Sequence, residues 1–101
     1  MKLFTKKIYD SAQKQYPLGS DMSQMIVAKF FDPRGSWTWY LMNQDPTDQD
    51  YLWGIVDGFE VEMGSFSLRE LDSIGYIERD LYFTPITAQE CWDRLNNGEH
   101  V

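Results

Sequence analysis

The chain has 101 residues, 43% of them hydrophobic and 25% charged. That is one domain's worth of sequence with enough apolar content for a single core. No apolar run approaches the roughly 20 residues a membrane span needs, and the net charge of −7 disfavours general attraction to DNA or to an anionic membrane. The start, Met1-Lys2-Leu3-Phe4-Thr5-Lys6-Lys7, has no long apolar stretch behind its lysines and does not read as a secretory signal. Cys91 is the only cysteine, so no internal disulfide can form, which fits a reducing compartment such as the cytoplasm.

A helix is expected over residues 6–16. Thr5 is the N-cap, Phe4 and Tyr9 form a hydrophobic staple, and Ile8, Ala12 and Tyr16 make an apolar stripe. Pro17 stops it, and Gly19 with Ser20 loosens the loop after the helix. Residues 25–32 have strand composition, and Asp32-Pro33-Arg34-Gly35 is a turn. Residues 36–42 alternate, with Trp37, Trp39 and Leu41 on one face and Thr38, Tyr40 and Met42 on the other. Residues 43–50 read as a polar loop.

Asp57-Gly58 between two alternating runs, 51–56 and 59–66, predicts a hairpin with a type I′ turn. In the second run Phe59, Val61 and Met63 are assigned to the core, and Glu60 and Glu62 to solvent. Ser67 with Glu70 is a capping box, with Phe66 and Leu71 as its staple, for a short helix near 68–74 ended by Gly75. Residues 76–83 look extended. Thr87 with Glu90 is a second capping box, after which Ala88, Cys91, Trp92 and Leu95 recur at helical spacing until Gly98. The sum is a single α+β domain over residues 1–101. It has a four- to five-stranded, mostly antiparallel sheet with a helix from each end of the chain packed on it.

Several of these segments together resemble the domain-of-unknown-function family 2958. They are Lys29-Phe30-Phe31-Asp32-Pro33, Ser36-Trp37-Thr38-Trp39-Tyr40, the run from Gly54 to Leu68, and Ile77-Glu78-Arg79-Asp80-Leu81-Tyr82-Phe83-Thr84-Pro85. The resemblance runs from the N-terminal helix through Pro85. It implies a small bacterial protein of the kind that recurs on plasmids, phages and other mobile elements. It carries over no activity, cofactor or catalytic residue.

Charge is segregated along the chain. Residues 1–34 carry six Lys/Arg against three Asp, a net of +3. Residues 35–68 carry six acids and no cation, and residues 69–101 carry seven acids against three Arg. Asp45, Asp48, Asp50, Glu60 and Glu62 are therefore the expected partner-binding residues. Acids without intervening cations imitate a phosphate row and suit a basic nucleic-acid-binding surface on another protein. The plainer reading is a solvated acidic face that keeps the protein soluble. Trp37, Trp39, Tyr40, Tyr51 and Trp53 give either a core or a stacking platform for bases or for a partner's apolar anchor. Direct nucleic-acid binding is the weaker reading, since the basic groove it needs is missing.

Glu78, Arg79 and Asp80 are the candidates for a small enzyme or nucleotide site. Their structural alternative is a salt-bridged tie to the Asp57-Gly58 hairpin. The loop acids lack the offsets of a calcium loop, and His100 is the only histidine. There is no phosphate loop, dinucleotide fingerprint or zinc spacing. No cofactor, metal or catalytic residue is expected, and the leading expectation is a non-enzymatic binding protein.

Overall fold

A computed structural model describes residues 2–101. The element order is α1 (Lys6–Lys14), β1 (Ala28–Phe31), β2 (Thr38–Asp45), β3 (Asp48–Asp57), β4 (Val61–Ser67), α2 (Leu68–Ile74), β5 (Glu78–Arg79) and α3 (Ala88–Asn96). The strands form one antiparallel sheet in the order β4-β3-β2-β1-β5.

Each helix starts where its cap residue dictates. Thr5, Ser67 and Thr87 each accept a hydrogen bond from the backbone N–H three residues on, satisfying a donor the first turn leaves open. The Phe4 and Tyr9 rings meet at 4.8 Å, as the staple requires. The first helix ends at Lys14, earlier than the expected residue 16, and a 3₁₀ turn over Tyr16–Leu18 comes after it. Pro17 belongs to that turn, where its fixed φ is compatible and its missing N–H costs nothing. Gly75 ends α2 at φ 85°, a left-handed position that other residues adopt only with strain.

The sheet is covered on both faces. On one, Leu3, Phe4 and Ala12 from the N-terminal segment and α1, with Leu71 of α2, pack on Ala28, Phe30, Trp39, Leu41 and Leu52. On the other, Ala88, Cys91 and Leu95 of α3 pack on Ile26, Tyr40, Met42 and Ile55. The alternation expected along residues 38–42 is what distributes these side chains between the two cores.

Four expectations are corrected. Residues 43–50 are not a loop: β2 and β3 run on to pair Asp45 with Asp48, leaving only Pro46 and Thr47 between them. The polar residues of the segment are satisfied inside the protein. Asn43 Nδ2 donates to the Gly19 carbonyl and to Gln24 Oε1, and Gln44 bonds both Gln13 and the Gln49 carbonyl. Burial of polar side chains costs little once every group is paired.

The β3–β4 connection is not a type I′ turn. Asp57 pairs with Val61 across three residues, and Gly58 is not among the glycines with positive φ. Gly58 is required instead by Trp37, whose ring would lie 2.6 Å from a Cβ there. Phe59 leaves the expected core face and is 95% exposed. The strands at the ends are also shorter than composition suggested. β1 covers Ala28–Phe31 within 25–32, with a separate bridge from Met25 to Thr87, and only Glu78 and Arg79 of 76–83 pair.

Candidate functional site

Helix α3 covers only part of its sheet face. Beyond it, where β1, β2 and β3 end together, the face opens into a cleft of about 570 Å³. Lys29, Thr38, Tyr40 and Asp57 form its floor, because Lys29 pairs with Tyr40 and Thr38 with Asp57 across neighbouring strands. The Asp32–Trp37 turn, Gly58 and Asp80 form its walls, with His100 at the edge.

The turn is built locally. Asp32 Oδ1 accepts from the Arg34 N–H at 2.8 Å, and the Gly35 N–H reaches the Asp32 carbonyl. The Arg34 guanidinium lies over the Tyr76 ring, 4.0 Å from its centroid. The cleft is therefore lined by three carboxylates, Asp32, Asp57 and Asp80, against one lysine. Lys29 is only 7% exposed. Its Nζ donates to the Val101 carbonyl at 2.6 Å and lies 3.4 Å from Asp80 Oδ2, so its charge is internally matched. Burial drives the Tyr40 hydroxyl well above its ordinary range, with help from the Cys91, Asp57 and Asp80 charges. Tyr40 stays protonated there, donating to the Val101 carbonyl.

Aromatic groups rim this acidic end. Trp37 lies over Gly58, and Phe59 meets it edge-on at 5.3 Å and 82°. Tyr82, two residues past Asp80, is 93% exposed, and its N–H is held by Asp80 Oδ1. Glu60 and Glu62 stand exposed at the same end of β3–β4.

The five expected partner-binding acids do not share one surface. Glu60 follows Phe59 in the β3–β4 connection, and Glu62, paired with Val56, faces the sheet side opposite the cleft, while Asp45, Asp48 and Asp50 lie toward the other end of β3, roughly 20–30 Å away at the rise of an extended strand. The distant three also hold their own backbone. Asp45 accepts from the Thr47 N–H and hydroxyl, and Asp48 from the Asp50 N–H. Asp50 accepts from the Ser67 hydroxyl at 2.7 Å and the Arg69 N–H at 2.8 Å. These bonds to the ionised form hold the Asp45 and Asp50 carboxyls below their usual range, chiefly through the Thr47 and Arg69 N–H groups.

The aromatic candidates separate as well. Trp39 and Tyr40 are buried on opposite faces of the sheet and present no stacking surface, whereas Trp37 does. Glu78 and Asp80 share a sheet side and Arg79 takes the other, as alternation requires. Asp80 lines the cleft with Trp37. Arg79 donates to the Lys2 and Leu3 carbonyls and ties β5 to the N-terminal segment, and Asp80 pairs with Lys29; β1 and β2 lie between β5 and the hairpin that Arg79 or Asp80 was expected to hold. Asp32 and Asp57 were passed over because Asp32-Pro33 and Asp57-Gly58 both read as turn chemistry. Only strand order brings them opposite Asp80. Among the described residues no group of three or more His, Cys, Asp or Glu is placed to hold a metal ion, and no helix is long and apolar enough to cross a membrane.

The fold defines an α+β protein with one five-stranded antiparallel sheet between helices. The family model described as "Protein of unknown function (DUF2958)" matches residues 3–98, so the chain belongs to that family. The match includes α3, beyond the Pro85 limit of the motifs legible in the sequence. No curated protein and no solved structure matches the chain.

Proposed function

We propose that this chain is a small non-enzymatic binding protein of a mobile element, acting in the bacterial cytoplasm. It engages a protein that presents a basic surface, such as the nucleic-acid groove of a processing or defence complex. The contact is made at the cleft end of the sheet. The observation that carries the reading is Phe59, which is almost fully exposed and meets the ring of Trp37, a wall of the cleft that Asp32, Asp57 and Asp80 line. An ordered exposed aromatic pair is what interface hot spots are made of. The surrounding carboxylates give the field that steers a basic partner and rejects an acidic one. Asp45, Asp48 and Asp50 lie outside this contact and serve the fold.

The test is capture from host lysate under nuclease treatment across a salt series, with the wild type beside Phe59→Ser and Glu60→Lys/Glu62→Lys. A stoichiometric protein that survives nuclease, weakens with salt and is lost in both variants supports the reading. Capture that persists in both variants at moderate salt overturns it.

A second reading has one observation in its favour: the cleft joins Asp80 to Trp37 in a single 570 Å³ space. That geometry suits a nucleotide or other small planar ligand stacked on Trp37. A thermal shift with a nucleotide panel, abolished by Trp37→Leu, distinguishes it from the protein-binding reading.

A further inference from the structure

A second cleft lies at the opposite end of the sheet, and its chemistry differs. Tyr51 and Trp53 are two residues apart on β3 and so face the same side. The 3₁₀ turn after α1 comes alongside and contributes Tyr16 and Pro17. Together with Asn43 they line an open cleft of about 510 Å³. Tyr16 and Tyr51 are 37% and 39% exposed, so their rings remain open to a guest. No basic residue lines the space. Asp45 stands at its rim, where its carboxylate raises the pKa of the Tyr16 hydroxyl.

Three aromatic rings beside one carboxylate attract a cation, through the ring quadrupoles and through net charge. The polar groups here say which kind of cation. Asp45 Oδ1 already accepts two hydrogen bonds from Thr47. Asn43 Nδ2 is committed to the Gly19 carbonyl and Gln24, and the Gly19 carbonyl also accepts from Gln24. A primary ammonium brings three N–H donors and a guanidinium five, and this cleft has few free acceptors to replace their water. A quaternary ammonium brings none.

We propose that the cleft formed by Tyr16, Tyr51 and Trp53, with Asp45 at its rim, binds an alkylated ammonium group. The site is independent of the partner-binding end of the sheet. Its guest is a trimethylammonium headgroup, borne either by a small metabolite or by a methylated lysine side chain.

The experiment is a ¹⁵N NMR titration of the full chain, following the Trp53 indole N–H. This donor is buried and has no acceptor among the described residues, which makes it a sensitive reporter. The probes are choline and its uncharged carbon isostere 3,3-dimethyl-1-butanol, at matched ionic strength. Choline is expected to shift the signal saturably, and the isostere to bind about tenfold more weakly, the scale of a partly desolvated cation–π contact. Tyr16→Leu and Tyr51→Leu each lower choline affinity several-fold. Asp45→Asn, which keeps the turn acceptor, lowers affinity and flattens its salt dependence. Trp37→Leu, in the other cleft, leaves it unchanged.

Peptides carrying lysine or Nε-trimethyllysine then identify the source. Tighter binding of the trimethyllysine peptide than of choline points to a methylated protein, and equal or weaker binding points to a small molecule. Equal affinity for choline and its isostere overturns the proposal. That comparison requires no variant to fold.

Discussion

Gly54 and Gly58 show how much of this structure is decided by single contacts. Neither has positive φ. A Cβ on Gly54 would run into the Tyr40 carbonyl, which is backbone in the middle of the sheet and cannot yield. A Cβ on Gly58 would meet the Trp37 ring, which sits at a strand end and can swing outward. Gly58→Ala is therefore expected to cost about 1–3 kcal/mol, the usual range for overpacking, and Gly54→Ala more, read as shifts in the urea midpoint. Cys91 is a second residue whose behaviour is set by burial. Desolvation pushes its thiol up to about 12, and Tyr40 is raised for the same reason. Both groups are neutral when protonated, so the stability they support is present below their unfolded pKa values and lost as pH rises above about 9–10. The Cys91 thiol should resist a thiol reagent at pH 8 until the chain unfolds, and stability should fall on the alkaline side. Rapid labelling of the native protein at pH 8 would contradict this.

At the scale of elements, α2 is the clearest case. It has only seven residues and would not persist alone. Its first turn is held twice: Ser67 Oγ accepts from the Glu70 N–H, while Asp50, from β3, accepts from the Ser67 hydroxyl and the Arg69 N–H. Ser67→Ala is expected to cost about 1 kcal/mol, as loss of an N-cap does. Asp50→Asn should combine with it less than additively, because the two share one network. The Asp50 carboxyl is depressed by these bonds, so its contribution is present above its unfolded pKa of about 3.8 and lost as pH falls below that value. In acid titrations Asp50→Asn should flatten the stability curve below pH 4 and leave its alkaline side untouched. The Ser67 box was legible from the sequence because its partners lie three residues apart. The Asp50 half was not, since that contact spans 19 residues and depends on β3 pairing with β4.

Over the whole molecule, the sheet carries helices on both faces but leaves each end of the α3 face partly open. That places an acidic, aromatic-rimmed cleft at one end and an aromatic cleft at the other. Phe59 tests whether the first is an interface. Its side chain contributes little to the core, so Phe59→Ser should change unfolding free energy by no more than about 0.5 kcal/mol, as exposed substitutions do. The same variant should lose partner capture. A large stability loss would mean that Phe59 serves the fold instead.

By itself the sequence determined the local grammar. Thr5, Ser67 and Thr87 announce the helices, Gly75 ends one, and the alternation through residues 38–42 assigns side chains to faces, because caps and alternation act within a few residues. The hydrophobic pattern also settled the α+β class, and the joint order of motifs pointed to the family. Only the tertiary structure decided the rest. Residues 43–50 are strand because Gln24, Gln13 and the Gly19 carbonyl satisfy Asn43 and Gln44 from elsewhere in the chain. Gly58 answers to Trp37 and not to its own φ. The acids of one continuous segment end up at opposite ends of a strand, while Asp32, Asp57 and Asp80 converge. The physical reason is common to all four: extended strands carry sequence neighbours apart at roughly 3 Å or more per residue, and strand pairing returns distant residues to within contact.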